Sequence, residues 1–198
     1  AVCVPEAAGG VGMPLVAAVA LAEEAGKAAF PSPLLSTFNA TFVLNACNSD
    51  AATKALGEIA GGKATSLAMT DANGSWEATD TDVSIDGDKL NGTAYFVQDA
   101  RKVDQLVVSA KSSAGVGLYL VDISNEGVNV IADSIVDLTR DQAHIEFNNV
   151  TAIELAAPGN GNAAIEKAMP AILSIVSADM VGAGEWLLQT TVEYAKTR

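Results

Sequence analysis

Val83-Ser84-Ile85-Asp86-Gly87-Asp88-Lys89-Leu90-Asn91-Gly92-Thr93-Ala94-Tyr95-Phe96-Val97 is the stretch that decides the fold. Val83 to Ile85 and Lys89-Leu90 read as the two arms of a hairpin. Asp86-Gly87 between them supplies the positive φ that a tight turn needs. Asn91-Gly92 reads as a second turn, after which Thr93 to Val97 forms a new strand. Upstream, Ser66-Leu67-Ala68-Met69-Thr70 has the same short-strand character. Downstream, strands are predicted over Gln105 to Ala110, Val116 to Asp122, Val128 to Ile131 and Ala143 to Phe147. Short strands separated by turn residues predict an antiparallel β-barrel or sandwich from Lys63 to Ala157.

On both sides the hydrophobic period lengthens to that of a helix. Before Gly62, Leu15, Val16, Val19 and Ala22 recur at helical spacing, followed by Leu34, Leu35, Phe38, Phe42 and Val43. Pro14 suits a first helical turn, and Gly26 and Pro31-Ser32-Pro33 punctuate. Ser49-Asp50 is placed to cap a short helix that Gly61-Gly62 ends. After Pro158-Gly159, an Asn cap opens a long helix. Its stripe runs Ile165, Met169, Ile172, Leu173, Val176, Met180, Val181, Leu187, Leu188, Thr191 and Tyr194, with Pro170 as an interruption or a late start. Such a stripe needs partner helices that this chain does not contain. The expectation is an α+β chain in three parts: a helical segment 1–62, a β domain 63–157, and the first helix, 158–198, of an incomplete helical bundle. It is either a fragment or folds only within an oligomer.

Composition excludes several functions. Acidic residues number 24 against 11 basic ones, a net charge of −13. With no basic patch denser than Arg101-Lys102, nucleic-acid binding is not expected. No uninterrupted apolar run approaches the ~20 residues of a membrane span. The first residues lack the basic start of a secretion signal, which favours a cytoplasmic protein with Cys3 and Cys47 reduced. Two cysteines and the single His144 exclude zinc patterns built on several Cys and His. The sequons at Asn39, Asn73, Asn91 and Asn149 read as chance and turn chemistry.

Most apparent motifs are structural. Gly9-Gly10-Val11-Gly12 lacks the Lys of a phosphate loop and reads as a turn entering the helix of Leu15. His144 alternates along a strand, with no nucleophile elbow anywhere. Glu23-Glu24 point about 100° apart on a helix and read as a solvated face. Asp80, Asp82, Asp86 and Asp88 form no twelve-residue calcium loop and read as turn residues. Met69-Thr70-Asp71-Ala72-Asn73-Gly74-Ser75-Trp76 differs: a strand ends in Thr, and a small-residue loop comes next whose N–H groups are placed to cradle an anion. About 20 residues later, Phe96 is placed to cover a flat cofactor, with Gln98 at its edge, although the residues by themselves read as readily as plain turn and core.

Those segments, in order, resemble the acyl-CoA dehydrogenases over essentially the whole chain. Val4-Pro5-Glu6-Ala7-Ala8-Gly9-Gly10-Val11-Gly12 resembles the family's early PExxGGxG segment, and Glu23-Glu24-Ala25-Gly26 and Pro31 to Thr37 are similar to the family segments next in order. Ala68-Met69-Thr70-Asp71 resembles the strand ending in Thr-Glu, and Leu90 to Val97 the LNGxKxWI hairpin. Tyr194-Ala195-Lys196-Thr197-Arg198 is similar to the helix before the QFG motif. The resemblance implies a helical domain, a β domain and a four-helix domain, in an FAD enzyme that desaturates an acyl-CoA thioester in lipid metabolism. A glutamate would take the α proton while the β hydrogen leaves as hydride to flavin N5. It implies a dimer or tetramer. Met69 and Thr70 would contact the flavin ring, Gly74 and Ser75 would lie near the pyrophosphate, and Phe96 would stand in place of the flavin-covering tryptophan. Arg198 would reach a neighbouring subunit's cofactor.

Several positions depart from the family pattern. Phe96 lacks the indole N–H. Gln98 stands where a Thr usually hydrogen-bonds flavin N5. The loop lacks Pro-Gly-Ala-Gly-Ser, and Trp76 is an alternative occupant of the Ser position. The base's commoner location lies beyond Arg198. Ile172 falls near its alternative location, with Glu166 more than a turn away, so no residue here is assigned as catalytic. Three readings remain: an FAD-dependent acyl-CoA dehydrogenase, a cofactor-poor structural subunit of a heteromeric one, or an α+β domain that binds something else.

Overall fold

A computed structural model describes residues 1–77 and 79–198. Three helices come first: α1 (Leu15–Lys27), α2 (Leu34–Cys47) and α3 (Asp50–Ala60). Ser49 caps α3 by accepting the Ala52 N–H at 3.2 Å, which satisfies one of the donors a helix start leaves unpaired. Eight strands come next: β1 (Thr65–Ala68), β2 (Val83–Asp86), β3 (Lys89–Gln98), β4 (Gln105–Ser112), β5 (Gly115–Asp122), β6 (Val128–Ala132), β7 (Gln142–Thr151) and β8 (Ile153–Ala156). One long helix closes the chain, α4 (Gly161–Thr197).

The expected antiparallel sheet is in fact mixed. The order runs β6-β7-β3-β2-β4-β5-β8, with β1 also on β4. β1 runs parallel to the first half of β4, and β2 touches its far end in parallel through Ser84 and Lys111. Two short segments thus sit end to end between β3 and β4. The described part of the loop joining them, residues 69–77 and 79–82, includes Met69, Thr70, Ser75 and Trp76 of the site.

Asp86-Gly87 does turn the hairpin: Asp86 pairs with Lys89, and Gly87 has φ +59°. Asn91-Gly92 does not turn. β3 runs straight through it with a register shift between Leu90 and Gly92. Gly92 has φ +125°, and a Cβ there would lie 2.2 Å from the Asp82 carbonyl. The glycine is used for a bulge where the Asp82 carbonyl, leading into the paired strand β2, leaves no room for a side chain.

Apolar packing falls into three groups. Leu90, Ala94, Leu106, Val108, Ile145 and Phe147 fill one face of the sheet. Val107 and Leu118 meet Val43, Leu44, Leu56 and Ile165 of the helices on the other. Ala18, Ala22, Phe38, Ile175 and Ala178 join α1, α2 and α4. Close approach defines this last contact. A Cβ on Gly26 would lie 2.0 Å from the Asp179 carbonyl, and one on Gly182 would lie 1.9 Å from that of Glu23. Arg140, between β6 and β7, holds both Asp179 carboxylate oxygens at 2.7 Å and ties the sheet to α4.

α4 is continuous through Pro170. Asn160 precedes it without a side-chain capping bond, so the expected Asn cap is absent. Its buried side is Ile165, Ala168, Ile172, Ile175 and Ala178, while Leu173, Met180, Val181, Leu187 and Leu188 lie exposed. By length and composition alone α4 also satisfies the criterion for a membrane span, with a mean hydropathy of 1.4 in its most apolar window. Both cysteines are free thiols.

Candidate functional site

The site forms where β1 gives out and β3 bends. The Thr70 carbonyl accepts the Tyr95 N–H at 3.0 Å, an isolated bridge beyond the end of β1. Directly after it, the β3–β7 register slips between Ala94 and Val97, leaving an extra residue in β3. Phe96 takes up the slack with φ +54°. A bulky side chain in the left-handed region is uncommon, at roughly 1–2 kcal/mol, and persists where its surroundings over-determine it. The bulge re-aims the ring out of the alternation, so Phe96 remains 44% exposed.

A recess of about 80 Å³, open on one side, lies against this ring. Met69, Thr70, Phe96 and Gln98 supply its strand side, and Ser75 and Trp76 its rim. Ser36 and Asn39 from α2 and Ile172 from α4 close the back. Gly74 lies beside the ring: a Cβ there would be 3.7 Å from Phe96 Cε2. No lining residue carries a charge. Thr70 and Phe96, far apart in sequence, therefore share one groove. Arg198 does not line it; it ends α4 with its guanidinium 5.6 Å from the Tyr194 ring.

Sequence reasoning missed Ser36 and Asn39. They are two of five polar residues in α2, with Thr37, Thr41 and Asn45, and nothing in the sequence singles them out. Asn39 Oδ1 is buried with no hydrogen-bond partner, so the recess has an unmet demand for a donor on its helical side. The Ser36 hydroxyl donates to Asp99 Oδ2 at 2.5 Å. Burial pushes the Asp99 carboxyl above the usual range, against the pull of that hydroxyl and Lys102.

The loop from Asp71 to Glu77 behaves differently from the expected anion cradle. The N–H groups of Ala72, Asn73, Gly74, Ser75 and Glu77 are already bound. Asp71 Oδ1 accepts from Ser75 at 2.8 Å and Asn73 at 3.0 Å, and its carbonyl accepts from Gly74. Asp82 takes the Ala72 N–H, and the Ser75 hydroxyl donates to Asp80. The Ser75 N–H, with Asn73 and Gly74 behind it, holds the Asp71 carboxyl below its ordinary range. Gly74 and Ser75 are next to the ring but face carboxylates where a phosphate would need donors. An exposed aromatic face and a Thr hydroxyl on the recess are compatible with a flavin ring, whereas the N–H groups of Ala72, Asn73 and Ser75 beside it are engaged with aspartates, which a phosphate does not fit.

His144 is a strand-face residue, as expected, half-buried on β7 with Nδ1 2.9 Å from Asp133 Oδ1. A second cavity, about 1020 Å³, is an open groove beside α3 lined by Lys54, Glu58, Lys63, Gln105 and Asp122. It contains none of the residues that form the recess. Among the described residues no cluster of His, Cys, Asp and Glu suits a metal.

No family model and no curated protein matches the chain. Solved structures do match. A steroid ACAD variant is 26% identical with a TM-score of 0.85, covering 100% of this chain and 54% of its own. An electron transferring flavoprotein structure from Acidaminococcus fermentans is 21% identical with a TM-score of 0.87, covering 100% and 57%. Butyryl-CoA dehydrogenase from Megasphaera elsdenii is 20% identical with a TM-score of 0.83, covering 99% and 57%. The chain spans a little over half the length of the structures it matches. Helices, mixed sheet and long closing helix together give this chain the fold of the acyl-CoA dehydrogenases.

Proposed function

We propose that this chain is part of an FAD-dependent dehydrogenase acting on an acyl-CoA thioester, and that its recess receives the isoalloxazine. One observation carries the reading: a bulge holds the Phe96 ring, at φ +54°, in the same recess as Met69 and Thr70. A flat apolar face beside a free Thr hydroxyl suits a flavin ring and its polar edge. Bound FAD would supply the hydride acceptor for α,β-desaturation. Met69 and Thr70 bind and orient the ring edge, Phe96 covers its face, and Gln98 meets it from β3. Ile172 keeps the back of the recess apolar and excludes water. Among the described residues none is assigned to remove the α proton.

The remaining parts of the proposal rest on the same resemblance. The chain divides into 1–62, 63–157 and 158–198. Gly74 and Ser75 would approach the pyrophosphate only on exchanging their bonds to Asp71 and Asp80 for it, and Arg198 would reach the cofactor of another subunit in a dimer or tetramer. The protein is cytoplasmic, serves lipid metabolism and neither spans a membrane nor binds nucleic acid.

A second reading, the cofactor-poor structural subunit, is favoured by one observation: Asp71, Asp80 and Asp82 occupy the loop donors a pyrophosphate would need. The absorption spectrum of the purified protein, read against its oligomeric state, separates the two. Near-stoichiometric flavin supports the enzyme. A flavin-free protein in stable complex with a flavin-bearing partner supports the structural subunit.

A further inference from the structure

The sheet ends in two strands, β6 and β8, and the two edges differ. β8 is defended. The Ser49 hydroxyl at the start of α3 donates to the Leu155 carbonyl at 2.8 Å, the pairing with β5 slips between Leu118 and Tyr119, and Glu154 puts a charge on the strand. β6 has none of these features. Val128-Asn129-Val130-Ile131-Ala132 carries no charge, Pro or Gly, and pairs with β7 in unbroken register. Protein edges are blunted by charge, proline, bulges or a covering element, and one that lacks them all is open to a further strand. Apolar exposure continues in the chain beyond β6, where Val136 and Leu138 lie almost wholly in solvent.

Hydrogen-bond parity identifies the open groups. The Gly127 carbonyl accepts the Asn148 N–H, and the Asp133 N–H donates to the Gln142 carbonyl, both at 3.0 Å. Antiparallel pairing alternates, so Asn129 and Ile131 also turn their backbone groups toward β7, while Val128, Val130 and Ala132 turn theirs outward. The Val128 N–H is taken by the Asn125 carbonyl at 3.1 Å. The Val128 carbonyl and both backbone groups of Val130 and Ala132 meet no partner among the described residues.

We propose that β6 is a self-association edge, pairing antiparallel with β6 of a second copy about a two-fold axis at Val130. The open groups set the register. With Val130 opposite Val130 of the second copy, each N–H meets the other's carbonyl. The Ala132 N–H meets the Val128 carbonyl of the second copy, and the axis makes that bond twice, so the engaged Val128 N–H is not needed. A slip of one residue opposes outward groups to inward ones, and a slip of two leaves Val128 or Ala132 without a strand partner. Charge agrees: Asp133 faces Gly127 of the second copy and Glu126 faces Ser134, so no carboxylates meet across the edge. Val128 and Val130, which pack against the apolar face of the sheet, continue that face into the second copy. The two-fold closes the contact, because each copy spends its open edge on the other. Each copy carries a net charge of −13, so salt, by screening the repulsion, strengthens the pairing. This goes beyond the flavin reading, which neither needs nor predicts such an interface.

The test is sedimentation velocity over a range of protein concentration at low and at high salt. The unaltered protein is expected to dimerise, and more strongly at high salt. Ala132→Pro removes an outward N–H at a position where an edge strand tolerates proline, and Val130→Lys sets two like charges on the axis. Each is expected to weaken dimerisation by about tenfold or more while thermal melting stays cooperative. Mild oxidation reads the register directly. Directly opposed residues have Cα atoms about 5.5 Å apart, within disulfide reach. Val130→Cys in a Cys47→Ser background should therefore crosslink as a dimer far faster than Ser84→Cys, which is exposed on β2. A chain that stays monomeric to its solubility limit at high salt overturns the inference, including the case in which the edge serves a strand of another protein. Dimers undiminished in folded Ala132→Pro, or crosslinking no faster at position 130 than at 84, overturn it by placing the contact elsewhere. Where a substitution unfolds the chain, the crosslinking result decides. Flavin content of the same samples reports on the recess alone.

Discussion

Replacing Phe96 by glycine and, separately, by alanine separates strain from packing at the recess. Phe96 sits at φ +54°, where a residue with a Cβ costs roughly 1–2 kcal/mol. Glycine removes that cost and adds about 0.5–1 kcal/mol of backbone entropy. Full burial of a Phe is worth about 1.5–3 kcal/mol. With the ring 44% exposed, truncation forfeits roughly half of that, about 1 kcal/mol. Phe96→Gly should therefore lie within about 1 kcal/mol of the unaltered protein. Phe96→Ala loses the same contacts and keeps the strain, so it should be less stable than the glycine variant by several tenths to about 1 kcal/mol. This inverts the usual order in strands, where alanine is the more stable of the two. Urea unfolding midpoints at constant m report it. Both variants should lose flavin affinity to a similar degree, since both lose the ring. An alanine variant more stable than the glycine variant would refute the claim that strain is stored at this bulge. Retained flavin affinity in both would refute the claim that the ring is there to meet a cofactor.

Other substitutions probe the surroundings. Asp71→Asn keeps the side-chain oxygen that accepts the Ser75 and Asn73 N–H groups and removes a negative charge beside the loop; fluorescence titration should show FAD binding severalfold tighter. Gly26→Ala drives a Cβ to 2.0 Å from the Asp179 carbonyl, with backbone on both sides and no side chain able to yield. Thermal melting should show a loss of about 1–3 kcal/mol or more, whereas Gly184→Ala, with open space around it, should be neutral or slightly stabilising. Asp99 titrates above its ordinary range because it is buried, so its ionised form disfavours the folded state. That cost is present above the folded pKa and disappears as pH falls below the unfolded value, about 3.9. Asp99→Asn should therefore gain stability relative to the unaltered protein at neutral pH, with the gain fading in acid, as chemical denaturation across pH would record.

Much of the fold was legible because turn chemistry and side-chain period are local. Gly87 at the hairpin and Ser49 at the α3 cap can be read from two or three residues. Asn91-Gly92 misled because a positive-φ glycine serves a turn and a bulge equally, and only its pairing with Val83 beside the Asp82 carbonyl decides which. The α1–α4 contact escaped the hydrophobic stripe because it is made by Ala and Gly, which bury little apolar area and act by letting backbones approach. At the site, Met69, Thr70, Phe96 and Gln98 came from the order of short motifs, and they meet in one recess. Its α2 wall did not, since Ser36 and Asn39 join it only through tertiary packing. Nor could the sequence reveal that Asp71 and Asp82 take the loop's N–H groups: a small-residue loop exposes donors only until a neighbouring carboxylate claims them.

A structure of the protein determined with FAD present tests the central claim most directly. The account requires the isoalloxazine to lie on the Phe96 face, with its polar edge toward Thr70 and Gln98. A ring bound elsewhere, or a recess that stays empty while FAD saturates another site, would contradict it.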